Sequence, residues 1–250
     1  NRATIIIQSP STENYKYVPH GPVFFRVIKF AVCPKGCYNA AVTSIKRLVK
    51  KKKKDIVVFD FDGTLSAHDC NVAFAKYCFR HSVRPWLFLP LMAVCGVVRW
   101  VKPDGIWWRQ AIRRFTTPEM VKKFAPDFIR LHKKERFGWA KEQVAAERNA
   151  GRTVVLISAA PDFLLPALVR DIKFDAVMCS QMDAARPWKY KFLCWGENKV
   201  RALDNWARDN KYIPRVVRSY SDSRSDMPMM EIAADRVWVD RKTGLRKASC

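Results

Sequence analysis

Apolar residues along the chain cluster into short continuous runs that end abruptly in polar side chains. The first is Ile56–Leu65 (IVVFDFDGTL), and the second is Thr153–Ser158 (TVVLIS). A third closes on Tyr220–Asp226 (YSDSRSD), and shorter runs cover Phe174–Ser180 and Arg236–Val239. Runs of this length, rich in β-branched residues, predict strands buried on both faces, as in a parallel sheet. Elsewhere apolar positions recur every three or four residues, which predicts helices over Cys70–His81, Pro103–Phe115, Pro118–His132 and Phe137–Ala150. Thr117–Pro118 suits a helix start and Gly151 a helix end. A further helix is expected over Asp226–Ala234.

Strands alternating with helices indicate an α/β fold around a parallel sheet. The interval between Asp62 and Ser158 is too long for a simple crossover, whereas that between Ser158 and Lys199 holds only a helix, a strand and a short connection. The insertion therefore follows the first strand. The expected organisation is an N-terminal extension over 1–55, a catalytic core over 56–67 and 151–250, and a helical cap over 68–150.

Charge adds a second layer. The chain carries 46 Lys and Arg against 23 Asp and Glu, a net charge of +23. Residues 1–55 hold 12 basic against 2 acidic side chains, and residues 84–136 hold 12 against 4. A basic extension including Lys50–Lys54, beside a basic cap, steers anions and favours an anionic bilayer. A solvated charge run that aids solubility is the plain alternative for Lys50–Lys54. Pro85–Val98 (PWLFLPLMAVCGVV) is uncharged and fenced by Arg84, Arg99 and Lys102, with Trp86 and Trp100 near its ends. At about 1.5 Å rise per residue it is too short to cross a ~30 Å hydrocarbon core, and Pro90 weakens a straight helix. It reads as an interfacial or re-entrant segment, with a buried cap helix as the alternative. Phe24–Phe30 is a weaker interfacial candidate.

Eight cysteines without paired spacing point to reduced thiols and a cytosolic setting. Cys33 and Cys37 form a lone pair with no second ligand pair after it, which favours ordinary thiols over a metal site. His68 reads as a surface residue of the cap hinge.

The polar ends of the apolar runs carry the candidate chemistry. Asp60 and Asp62 lie two apart on an extended segment, so both can address one ligand. Gly63 allows a sharp turn close to a bound anion. A carboxylate can attack phosphorus and split one displacement into two. Asp60, Asp222 and Asp226 are hard oxygen ligands suited to Mg²⁺. Lys199 and Ser158 supply a cation and a hydroxyl for phosphate. Taken singly, each feature also has a bland reading as an acidic turn, a helix cap or a solvated lysine.

DFDGTL, LISAAP, ENKVRAL and YSDSRSDMPMM together resemble the four motifs of the haloacid dehalogenase-like (HAD) phosphohydrolases, over roughly Ile56 to Lys247. The resemblance implies a Rossmann-like core with an inserted helical C1 cap and a magnesium-dependent phosphatase. It implies Asp60 as nucleophile and Asp62 as general acid and base. Ser158, Lys199, Gly63 and Thr64 would bind phosphate, and Asp60, Asp62 (through its backbone carbonyl), Asp222 and Asp226 would bind the metal. Asp69 and the segment RPWLFLPL resemble subfamily IB, within which the likeness is to HAD-type phosphatidylglycerophosphate phosphatases. Phosphoserine phosphatases of the same subfamily typically carry glutamate where Asp69 stands.

The expected substrate is thus a lipid phosphomonoester at a membrane surface, met by cap residues including Asp69, Arg109, Arg113 and Arg114. The expected location is peripheral, on the cytoplasmic side of a membrane. A soluble phosphatase of phosphoserine or another small ester is the second reading. A nucleic-acid-binding module on a degenerate core is the third, disfavoured because no nucleic-acid signature accompanies the lysine run and binding alone needs no Asp60–Asp62 pair.

Overall fold

The computed structural model describes residues 4–5, 52–82, 116–187 and 189–249. Its strands are β1 (Thr4–Ile5), β2 (Lys52–Phe59), β3 (Thr153–Pro161), β4 (Ala176–Met182), β5 (Tyr190–Phe192), β6 (Tyr212–Ser221), β7 (Asp235–Val239) and β8 (Arg246–Ser249). They form one sheet in the order β1-β4-β3-β2-β6-β7-β8, with β5 added antiparallel to β4. Every pairing from β1 to β7 along that path is parallel, and β8 returns antiparallel on β7.

The central strand explains the layers. Side chains alternate along β2, so Val57 and Phe59 join one core cluster and Ile56 and Val58 the other. The first face is covered by α1 (Cys70–His81), α2 (Pro118–His132), α3 (Trp139–Asn149) and the short α4 (Leu165–Leu168). The second face is covered by α5 (Glu197–Asp209) and α6 (Met227–Glu231), through Leu203, Trp206 and Met229. A parallel sheet with helices on both sides is the Rossmann-like arrangement expected from the apolar runs. The chain runs outward from β2 through β3 to β4, then crosses back to β6 and β7. The order therefore reverses at β2, and ligands of open α/β sheets bind at such a point, beyond the carboxyl ends of the strands.

Helix boundaries follow local chemistry. Asp69 caps α1 by accepting from the amides of Asn71 and Val72, and Thr117 caps α2 by accepting from Met120. Both helices span the residues expected from their periodicity. The structure shortens the helix over 137–150 to Trp139–Asn149 and lengthens the second strand to Pro161. The helix expected over Asp226–Ala234 becomes a 3-10 turn (Arg224–Asp226) followed by α6, because Pro228 at the helix start has no amide to extend a longer helix backwards.

The larger difference concerns the lysines. Lys52, Lys53 and Lys54 are not part of a separate basic arm: they open β2 and pair with Tyr212, Ile213 and Pro214. The Lys54 ammonium lies 4.2 Å from the centre of the Tyr212 ring. These lysines sit at the amino end of β2, about 20 Å from Asp60 at roughly 3.3 Å per residue. They occupy the edge of the sheet opposite the candidate site rather than flanking it. Pro85–Val98, Pro103–Phe115, Arg109, Arg113, Arg114, Phe24–Phe30, Cys33 and Cys37 lie outside the described residues. Among the described residues, no helix is long and apolar enough to cross a membrane.

Candidate active site

Asp60 follows the last residue of β2 and stays in the ladder through its amide, 3.1 Å from the Tyr220 carbonyl. The chain then winds tightly, with the Phe61 carbonyl accepting from the amides of Thr64, Leu65 and Ser66. This turn holds Asp60 and Asp62 at the strand end. The neighbouring strands bring the rest: Ser158 comes from β3, and Ser221 and Asp222 from the end of β6. Lys199, in the first turn of α5, reaches in from the second face.

Lys199 is the hub. Its ammonium is 2.8 Å from Asp60 Oδ1 and 2.7 Å from Asp226 Oδ2, and the side chain is 3% exposed. Ser221 Oγ donates to the same Asp226 oxygen at 2.7 Å. Burial pushes the Asp60 carboxyl up to about 7 although Lys199 pulls it down, with Asp226 and Asp222 adding to the rise. Burial also works against the Lys199 charge, yet Asp60 and Asp226 hold that ammonium above the ordinary lysine range.

Asp62 is placed differently. Its Oδ1 accepts from the Cys70 amide at 2.8 Å, and Cys70 Sγ is 3.5 Å from its Oδ2. Burial, then the Asp69 charge, drive this carboxyl well above the usual carboxylate range against the pull of the Cys70 amide. Two neighbouring carboxyls in unlike environments are what separate acid and base roles require.

Thr64 and Gly63 both lie against Asp222. Thr64 is fully buried, and its hydroxyl donates to Asp222 Oδ1 at 3.2 Å while accepting from the Asp222 amide at 3.1 Å. A hydroxyl so engaged braces Asp222. Gly63 has φ +85°, and a Cβ there would come within 2.2 Å of Asp222 Oδ2 and 2.5 Å of Arg241 Nε. Its bare backbone makes room for that carboxylate and that guanidinium.

Ser158 is buried beside them in register, since Phe59 pairs with Leu156, and its Oγ accepts from the Ala160 amide at 3.2 Å. Asp69, expected to read substrate, spends Oδ1 on capping α1. His68 is exposed and lies 3.3 Å from Glu135.

Sequence reasoning missed Arg241. Its Nε lies 3.0 Å from Asp222 Oδ2 and its Nη2 3.5 Å from the Asp62 carbonyl. The signal was present in DRKTG after the last apolar run, a hairpin turn that must lie at the same sheet edge. Cys70 was also missed, because only the fold shows that the start of α1 returns to Asp62.

The donor set suits a hard divalent cation. Asp60, Asp222 and the Asp62 carbonyl offer oxygen alone, and a guanidinium already stands against two of those three groups. Asp226, engaged by Lys199 and Ser221, is suited to act through a bridging water. Among the described residues no three acidic, histidine or cysteine side chains form a ready-made coordination sphere. The carboxylates are held by Lys199 and Arg241 instead.

Comparison with known proteins fits this geometry. Residues 57–231 match the family model of the haloacid dehalogenase-like hydrolases. A probable phosphatase of Mycobacterium tuberculosis is 31% identical over 114 residues, covering 44% of this chain and 40% of that protein. The chain thus spans about two fifths of the length of the curated relatives it matches. A Bordetella pertussis Tohama I protein of unknown function superposes with TM-score 0.60 at 17% identity, covering 75% of this chain and 91% of that one. A phospho-aspartyl intermediate analogue of phosphoserine phosphatase superposes with TM-score 0.53 at 17% identity, covering 75% and 87%. At such identities these two likenesses concern the fold.

Proposed function

The chain belongs to the haloacid dehalogenase-like hydrolases, and we propose that it hydrolyses phosphomonoesters through a phosphorylated Asp60. The observation that carries this reading is the buried bridge from Asp60 through Lys199 to Asp226 at the reversal point of the sheet. Beside it stands a second carboxyl whose surroundings favour the protonated form.

In the proposed reaction an Asp60 oxygen attacks phosphorus as the ester P–O bond breaks, and the leaving alkoxide takes the proton of Asp62. Asp62, now ionised, accepts a proton from water as the water oxygen attacks the aspartyl-phosphate. Inorganic phosphate leaves and Asp60 is restored. An ammonium has three donors; two of those on Lys199 hold Asp60 and Asp226, and the third can meet a phosphoryl oxygen. Ser158 is proposed to donate to another. Asp60, Asp222 and the Asp62 carbonyl would hold Mg²⁺, with Asp226 behind a water; when bound, the ion neutralises phosphoryl charge.

For the substrate we propose a lipid phosphomonoester. Its support is the uncharged, tryptophan-flanked stretch Pro85–Val98 within the basic cap segment. Asp69 stands where phosphoserine phosphatases typically carry glutamate, a departure that lowers the phosphoserine reading. Lys52–Lys54, at the far edge of the sheet, are not assigned to the substrate.

The test is phosphate release with Mg²⁺ from an aryl phosphate, phosphoserine, sugar phosphates, lysophosphatidic acid, phosphatidic acid and phosphatidylglycerophosphate, the lipids in anionic vesicles. The lipid esters should show the highest kcat/KM, and EDTA should stop release until Mg²⁺ is restored. Preference for phosphoserine would overturn the lipid class while leaving a phosphatase. No release from any ester would overturn the whole reading.

A further inference from the structure

Arg241 stands where a cation is wanted. The turn that carries it is fixed: Asp240 Oδ1 accepts from the amides of Lys242 and Thr243 and from Thr243 Oγ1, all within 2.9 Å. The Gly244 amide is 2.7 Å from the Asp240 carbonyl, and the Gly244 carbonyl accepts from Trp139 Nε1 at 3.0 Å. At Gly244 any Cβ would meet the Phe137 ring at 2.6 Å, so the turn is pressed against the start of α3. From this rigid base the Arg241 side chain, 49% exposed, reaches over Gly63 to an Asp222 carboxylate that is 7% exposed. A fixed backbone with a half-exposed tip lets the guanidinium leave without unfolding anything.

The two groups it contacts, the Asp222 carboxylate and the Asp62 carbonyl, are two of the three that the proposed hydrolase offers to Mg²⁺. A guanidinium and a divalent cation cannot share these oxygens, because both would occupy the same lone pairs and like charges at contact distance repel. We propose that Arg241 is an internal counter-ion that closes the metal site and must be displaced before Mg²⁺ binds. It neutralises Asp222 in the metal-free protein and sets the apparent Mg²⁺ affinity below what the oxygen ligands alone would give. The clearance at Gly63 serves this pairing, since any side chain there would displace both partners. Lys199 differs from Arg241 in this respect: it is sealed in and bonded to two carboxylates, a permanent part of the site.

The inference rests on the metal site of the proposed function, and the test separates the two. Mg²⁺ binding to the whole chain is measured by calorimetry at low salt for the native protein and Arg241→Gln, with the Mg²⁺-induced rise in melting temperature as a second readout. Arg241→Gln should bind Mg²⁺ roughly three- to tenfold more tightly, the span expected when a partly exposed ion pair no longer competes. Its melting temperature should be lower without Mg²⁺ and should rise more on adding it. Should the glutamine variant fail to fold, Arg241→Lys, which keeps the charge but cannot bridge both oxygens, takes its place with the same direction expected. Equal or weaker binding by the variant overturns the counter-ion role and leaves the metal site standing. Absence of binding in both proteins overturns the metal site and the counter-ion together.

Discussion

Two acidic networks meet along β6 and differ in how completely they are satisfied. On the flank of the sheet, Glu147 is 2% exposed and accepts from Gln143 at 3.2 Å, Arg218 at 2.7 Å and Tyr220 Oη at 3.1 Å, with Arg152 also bonded to it. Burial opposes its charge, but Arg152 and Arg218 more than offset this and hold the carboxyl below the usual glutamate range. At the carboxyl ends of β2 and β6, Asp60 is buried and Asp62 and Asp222 are partly buried, each with fewer partners, and burial raises all three. The first network has spent its charge on structure. The second keeps reactivity in reserve, since a carboxyl that the fold has not fully compensated can still exchange protons or attack a bound group.

That contrast can be broken by substitution. The largest effect is expected for Asp60→Asn, which should lower turnover on the order of 10⁴-fold or more, as loss of a nucleophile does. Its melting temperature should not fall, since burial of this carboxyl outweighs the pull of Lys199 on its charge; a collapsed fold would place Asp60 with Glu147. Next comes Gly63→Ala, whose methyl must displace Asp222 and Arg241. Turnover should drop about a hundredfold, the scale of an ångström-sized misplacement, and a variant with native kcat/KM would show that this close packing has no role.

Smaller in free energy is Glu147→Gln. It leaves Arg152 and Arg218 without their anion and should cost about 2 kcal/mol of unfolding stability, discounted for two partly exposed arginines. Turnover per folded molecule should stay near native. Because the native Glu147 carboxyl is depressed, its stabilisation is present above the ordinary glutamate value of 4.5 and is lost as pH falls through its lower folded value. The stability gap between native protein and variant should therefore close in acid, as chemical denaturation at several pH values can check. On stability alone, Asp62→Asn acts with the opposite sign. A raised carboxyl destabilises the fold as pH climbs from 3.8 toward its folded value, so this variant should melt slightly above native at neutral pH. Equal melting at neutral pH, or a deficit, would count against the uncompensated state of Asp62.

How much was legible in the sequence follows the same division. The placement of Asp60, Asp62, Ser158, Lys199, Asp222 and Asp226 could be read because each lies at or near the end of an element whose apolar pattern marks it. Helices α1 and α2 could be read to the residue from their periodicity and caps. Lys52–Lys54 could not, because strand pairing with β6 overrode a charge pattern that looks like a solvated tail. The bonds of Thr64 to Asp222 and of Asp69 to the α1 amides were not legible either, because they depend on where the turn after β2 places those side chains. Glu147 and Arg241 depend on contacts across 71 and 179 residues of chain, a reach that no local pattern encodes.

Phosphorylation of Asp60 is the step on which the proposed hydrolysis depends. The most direct measurement is to quench the Mg²⁺-loaded protein in acid during turnover of an aryl phosphate and map the phosphorylated peptide by mass spectrometry. Phosphate on Asp60, absent from Asp60→Asn, is the predicted result. Turnover without label on Asp60, or label that persists in Asp60→Asn, would contradict it.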